Sequence, residues 1–305
     1  MKSRILAFSG SKQSGKTTSS NFLHGYQLKC HAVIENFYII ESGDLVVTTN
    51  ITNETGEEER GDAILDPSRT DLDFAEWAMY SMWPFIKKYS FAAPLKQIAT
   101  GIFGLTSDQC YGTDSQKNTL TNIRWGDVPT PNKKGKNKKM TAREFLQYFG
   151  TDVCRKMYED VWVDRCLADI VHEEPLLAVV DDCRFPNEAD AIQRAGGKVI
   201  RLTRSKHKDS HKSESALDDW DNFDAVIDNQ EMDVQESSRR LLEILDSWGW
   251  LGKEVSRTEL NQRFADHAAE NSRIDTRVAT PHESAAKEPS KKLVGGIHTI
   301  KKDNS

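Results

Sequence analysis

Disulfide chemistry is the first thing this chain lacks. Its five cysteines, Cys30, Cys110, Cys154, Cys166 and Cys183, form no C-x-x-C pair and are odd in number. They read as reduced thiols, which excludes a disulfide framework and a zinc ribbon. Long apolar runs are missing too. No stretch approaches the roughly 20 residues of a membrane span, so no membrane partner is expected. The N-terminus carries no apolar leader, since strand-like residues begin at once, and a cytoplasmic location is expected. Nor is there an excess of positive charge. Lys and Arg number 41 against 47 Asp and Glu, a formal net charge of −6. That balance argues against a protein that coats nucleic acid, and no stable nucleic-acid partner is expected. What remains is a globular composition, 37% apolar and 29% charged over 305 residues. The low mean hydropathy of −0.62 is attributed to polar insertions and a polar tail.

What the chain does have is a complete G-x-x-x-x-G-K-[ST] element, Gly10-Ser11-Lys12-Gln13-Ser14-Gly15-Lys16-Thr17. Before it runs the strand-like Ile5-Leu6-Ala7-Phe8. After it, Thr17 to Gly25 is expected to be a helix that Gly25 ends. The glycines let backbone N–H groups turn inward around a polyphosphate, and a helix N-terminus adds partial positive charge. Gly10, Ser11, Gln13, Ser14, Gly15, Lys16, Thr17 and Thr18 are therefore the expected nucleoside triphosphate contacts. Lys16 reaches the β- and γ-phosphates in such a loop, and the Thr17 hydroxyl ligates Mg²⁺.

The rest of the core follows from periodicity. Lys88–Ala92, Leu176–Val180, Lys198–Thr203 and Ala225–Ile227 read as further strands, with helices between them. Leu176–Val180 is apolar without alternation, as a parallel strand buried on both faces must be. Five strands alternating with helices predict an α/β fold, a doubly wound parallel sheet with helices on both faces. Residues 30–87 read as an insertion: a hairpin around Ser42-Gly43-Asp44, a polar loop over 53–61, then a helix from Leu72 ending near Pro84. Residues 126–139 read as a mobile basic loop, and 253–305 as a polar, partly disordered tail.

The buried strand ends in Asp181-Asp182, followed by Cys183-Arg184-Phe185-Pro186-Asn187-Glu188. Ligands gather at the carboxyl ends of parallel strands, where a carboxylate can hold a metal shell and an arginine can meet phosphate oxygens. Successive side chains of a strand point to opposite faces, so only one of the two aspartates can face the loop, and simple counting from the apolar run picks Asp181, the first residue after it.

With these pieces in view, the chain resembles the tailed-phage deoxynucleoside monophosphate kinases, relatives of the adenylate kinase group. The resemblance rests on Gly10–Thr17, Phe91-Ala92-Ala93-Pro94-Leu95-Lys96, Leu146–Asp152, Asp182–Glu188, and His211-Lys212-Ser213-Glu214 with Val226–Asn229. It covers residues 1–29 and 87–248, and it implies a kinase domain over 1–252 with a lid-like segment at 204–222. It implies an ATP-dependent phosphotransferase that uses Mg²⁺ and a deoxynucleoside monophosphate, in the host cytoplasm where the gene is a phage's. It selects Asp182 as the metal carboxylate, with Thr17, and Lys16, Asp182 and Arg184 as the catalytic set. It places Lys96, Arg143 and Arg155 at the acceptor phosphate, with Gln147 and Asp152 on sugar or base and Trp162 stacked on the base. Arg201 and Arg204 take the lid position, and Asn229 the donor adenine. A homodimer is compatible with the resemblance. Two alternatives stay open: a kinase acting on a hydroxymethylated base within DNA, and an ATP-binding regulatory protein that transfers to nothing but water.

Overall fold

The computed structural model describes residues 3–52, 58–69, 71–129, 135–204, 216–251 and 297–299. The His211–Glu214 motif and most of the expected tail lie outside these, as do parts of the basic loop and the lid-like segment. Five strands make one parallel sheet: β1 (Arg4–Ser9), β5 (Ile86–Tyr89), β8 (Leu177–Cys183), β9 (Lys198–Leu202) and β10 (Ala225–Ile227). Their spatial order is β10-β9-β1-β8-β5, so β1 lies at the centre. Leu6, Ala7, Phe8, Val179, Val180 and Ile200 are fully covered, as a sheet with helices on both faces requires. Each large apolar side chain so buried contributes about 1.5–3 kcal/mol. The fold is the expected α/β one. Among the described residues no helix is long and apolar enough to cross a membrane.

Helix α1 (Lys16–Cys30) runs from the phosphate loop across the sheet and does not end at Gly25. Gly25 is there for packing. A Cβ at that position would sit 2.8 Å from Leu45 Cδ1 and 2.6 Å from Phe37 Cγ. Those two residues belong to the insertion, which forms an antiparallel sheet of β2 (Asn36–Ile39), β3 (Leu45–Thr52) and β4 (Glu58–Leu65). The expected polar loop at 53–61 is therefore partly strand. The outer face of β4 carries Arg60 and Asp62, while Ala63 and Leu65 face inward. A short strand, β11 (Ile297–Thr299), pairs antiparallel with β4, so part of the expected tail adds to this sheet. Helix α2 (Leu72–Ser81) returns the chain to β5.

Between β5 and β8 lies a mostly helical layer: α3 (Ala93–Gly101), α4 (Ser107–Tyr111), α5 (Asp114–Lys117), the ribbon β6 (Leu120–Arg124) and β7 (Lys139–Thr141), and α6 (Ala142–Gln147). It has its own small core of Ala99, Leu105, Cys110, Met140, Phe145 and Tyr148. After α6 the chain widens into a π-helical segment, Tyr148–Arg155, before α7 (Val161–Glu173). Helices α8 (Pro186–Arg194) and α9 (Val234–Ser247) complete the two outer layers.

Candidate functional site

The phosphate loop has the backbone its glycines allow. Gly10 has φ 153°, Gln13 φ 61° and Gly15 φ 101°. A Cβ on Gly10 would stand 2.8 Å from the carbonyl of Leu202, so both space and φ require glycine there. Lys16 folds back over the loop, its Nζ donating to the carbonyls of Gly10 and Ser11, 2.7 Å each. Those bonds keep an ammonium at the point where a phosphate would enter. The loop is tied to the far strands: Ser11 Oγ donates to the Arg204 carbonyl at 3.0 Å, and Asn229 Nδ2 donates to the Ser14 carbonyl at 2.8 Å.

At the end of β8 two neighbouring aspartates face the opposite way from the expectation. Asp181, not Asp182, faces the loop: its Oδ2 accepts from Thr17 Oγ1 at 3.4 Å and pairs with Lys88 Nζ at 2.8 Å. Asp182 turns to the loop between β5 and α3 and accepts from Ser90 Oγ (2.6 Å), Phe91 N (3.0 Å) and Ala92 N (3.1 Å). Alternation along β8 accounts for it: Leu177 and Val179 pack on the face that carries Leu23 and Leu28 of α1, so Asp181 follows them toward the loop, while Asp182 follows Ala178 and Val180 to the other face. One extra residue in β8 between Val180 and Cys183, opposite Ala7 and Ser9 of β1, returns Cys183 to that second face. Thr17 and Asp181 together present hard oxygen donors of the type Mg²⁺ takes when substrate phosphates complete its shell. Among the described residues no cluster of three or more His, Cys, Asp or Glu could hold a metal unaided.

Two other expectations meet packed interiors. Trp162, expected to stack on a base, is 5% exposed, and its indole N–H donates to the Gly150 carbonyl at 3.1 Å. Asn229, expected at the adenine, is 2% exposed. Its amide is taken up by Ser14 and by the backbone N–H of Arg204, which reaches Asn229 Oδ1 at 2.9 Å. The Arg204 guanidinium donates to the carbonyls of Asn229 and Met232 and so closes that turn rather than standing as a lid. Arg201 donates to Ser9 Oγ (3.0 Å) and Asp218 (2.6 Å).

Of the residues expected at the acceptor, Arg155 pairs with Glu188, lies 4.1 Å over the Phe185 ring and reaches Asn187 Oδ1 at 3.4 Å. Glu188 also accepts from the backbone N–H groups of Arg184 (2.7 Å) and Phe185 (3.1 Å), fixing the turn that carries Arg184. Burial pushes Glu188 up to about 7 against the pull of Arg155 and those N–H groups. Lys96 lies 4.7 Å over the Tyr111 ring, and burial holds its ammonium below the usual range while Asp182 opposes that shift. Arg143 contacts Asp114 at 2.6 Å and Asn118 at 3.2 Å. Asp152 is exposed and pairs with Lys156 at 3.5 Å, and Gln147 ends α6 half-buried. The structure thus places Lys96 and Arg143 in the layer between β5 and β8 and leaves Asp152 exposed at the surface. Sequence reasoning missed Lys88 and Asp114. Lys88 lay inside a recognised strand with a charge at an inward position, which was an available signal. Asp114 gave none.

A family model described as deoxynucleotide monophosphate kinase matches residues 103–237. A protein of Acanthamoeba polyphaga mimivirus named "Putative deoxynucleotide monophosphate kinase" is 30% identical over 181 residues, 53% of this chain and 84% of that protein.

Proposed function

The chain belongs to the deoxynucleotide monophosphate kinase family, and from that premise we propose that it moves the γ-phosphate of ATP to a deoxynucleoside 5′-monophosphate. The products are ADP and the deoxynucleoside diphosphate, in nucleotide supply for viral-type DNA synthesis in the cytoplasm. The observation that carries the reading is the placement of a complete phosphate loop and Asp181 against a separate layer bearing Lys96 and Arg143. A binder that only hydrolyses ATP needs no second set of cations.

Phosphoryl transfer of this kind needs positioning and charge neutralisation more than covalent chemistry. An oxygen of the acceptor phosphate attacks the γ-phosphorus, and the bond from that phosphorus to the bridging oxygen of ADP breaks. Lys16 leaves the Gly10 and Ser11 carbonyls for the β- and γ-phosphate oxygens, and the loop N–H groups hold the donor. Thr17 and Asp181 would hold Mg²⁺, which when bound supplies charge neutralisation across the β- and γ-oxygens. Lys88 keeps Asp181 against Thr17. Asp182 braces Ser90–Ala92 and so aims the start of α3, which carries Lys96. Arg184 sits on a turn that Glu188 fixes, and its guanidinium would meet phosphate oxygens during transfer.

The test is ADP release by the purified chain with ATP and, in turn, dAMP, dCMP, dGMP, dTMP and 5-hydroxymethyl pyrimidine monophosphates. Stimulation by at least one, with the matching diphosphate as product, is expected. Turnover indifferent to all of them overturns the proposal.

A further inference from the structure

One carboxylate on the acceptor side has no part in the reaction just proposed. Asp114 opens α5 and is half-exposed. Its Oδ2 pairs with Lys12 of the phosphate loop, and its Oδ1 accepts from Arg143 Nη2 of α6 at 2.6 Å. The phosphate loop and α6 are thus joined through one side chain of α5. A third cation stands beside it. Lys117, at the other end of α5, is held below its usual range by burial and then by Lys96, Arg143 and Lys12 around it. Lys12 and Arg143 in turn hold Asp114 below the usual carboxylate range.

Four cations from the phosphate loop, α3, α5 and α6 therefore crowd one region, and Asp114 bridges two of them. Ion pairs as exposed as these add little to folding stability, so bracing the fold does not account for the arrangement. Two cations gripping the two oxygens of one carboxylate is, however, the contact pattern that a phosphate group takes from lysine and arginine.

We propose that Asp114 is an internal stand-in for the acceptor's phosphate, filling the gap between Lys12 and Arg143 until a phosphomonoester dianion displaces it and recruits Lys117. The idea rests on the kinase reading only for the identity of the acceptor; the anion site itself is independent of turnover. Asp114 then acts as a specificity-determining residue. A dianion outcompetes a single carboxylate for two cations, whereas a phosphodiester with one charge does not, so nucleotides within a polymer are excluded at this step.

Binding of inorganic phosphate and of dTMP to the full chain, measured by calorimetry, tests it with Asp114→Asn, Lys117→Met and the double variant. Asp114→Asn is expected to tighten phosphate binding about three- to tenfold, the scale of two exposed ion pairs, and to lower the melting temperature only slightly. Lys117→Met is expected to weaken binding in both backgrounds. Asp114→Asn should also admit a dinucleotide phosphodiester more readily than the native chain does. Phosphate binding that is unchanged, weakened or undetectable in Asp114→Asn overturns the proposal. Because no ATP is present, a failure of the kinase reading appears separately, as an acceptor panel without stimulated ADP release.

Discussion

In the proposed reaction the phosphate loop and the layer between β5 and β8 hold phosphate by opposite means. The loop does it with backbone: Gly10, Gln13 and Gly15 take positive φ so that N–H groups can point inward, and one lysine completes the set. The acceptor layer does it with side chains from α3, α5 and α6, balanced by Asp114, Asn118 and Tyr111. Backbone recognition is written locally and survives distant change. Side-chain recognition depends on which elements the fold happens to bring together. Asp181 and Asp182, adjacent in sequence, serve one region each.

That contrast can be broken at its strongest point first. Lys16→Ala should lower turnover by about 10²- to 10³-fold, the scale of removing a preorganised charge donor. Thermal unfolding should show the melting temperature unchanged, because the glycines set the loop. Near-normal turnover would mean that the loop is not the donor site. On the acceptor side the corresponding change should act through structure. Arg155→Met leaves Glu188 buried without its cation and should cost about 3 kcal/mol of stability by denaturant titration. A cost near zero would show that the pair does not brace the turn before Arg184.

A third test uses pH. His24 on α1 is fully buried, with Nδ1 bonded to the Ser20 carbonyl and no partner for Nε2, and burial lowers it to about 4. The folded chain keeps the imidazole neutral while the unfolded chain protonates it near its ordinary value. Stability is therefore complete above that ordinary value and is lost as pH falls from there toward about 4, by about 3 kcal/mol for a shift of this size. His24→Leu should flatten that acid limb in chemical denaturation at a series of pH values. A limb of unchanged slope would assign the acid sensitivity elsewhere.

The same contrast explains what the sequence made legible. The phosphate loop, the unalternating β8 run and the five-stranded core can be read because each is encoded by neighbours in the chain. β4 was hidden by charge on its outer face, with only Ala63 and Leu65 inward near its end. Gly25 reads as a helix stop from one dimension and is a contact with Phe37 and Leu45 in three. Trp162 is an amphipathic ring whose N–H finds Gly150, a carbonyl in the π-helical segment that no periodicity announces. Asp181 facing Thr17 was legible in the chain itself: counting by twos from Leu177 and Val179 puts it on the face of α1, whereas the family pattern pointed to Asp182.

The most direct measurement compares those two aspartates. Acceptor-stimulated turnover of Asp181→Asn and Asp182→Asn should be followed across Mg²⁺ concentration, with denaturant stability measured alongside. Asp181→Asn is expected to raise the Mg²⁺ needed for half-maximal turnover and to cut kcat by about 10²-fold at little cost in stability. Asp182→Asn is expected to lose about 2 kcal/mol of stability, the scale of charge-assisted hydrogen bonds, and to raise KM for the monophosphate more than it shifts Mg²⁺ dependence. A larger shift in Mg²⁺ dependence for Asp182→Asn than for Asp181→Asn would contradict the division of the site into a donor and an acceptor half.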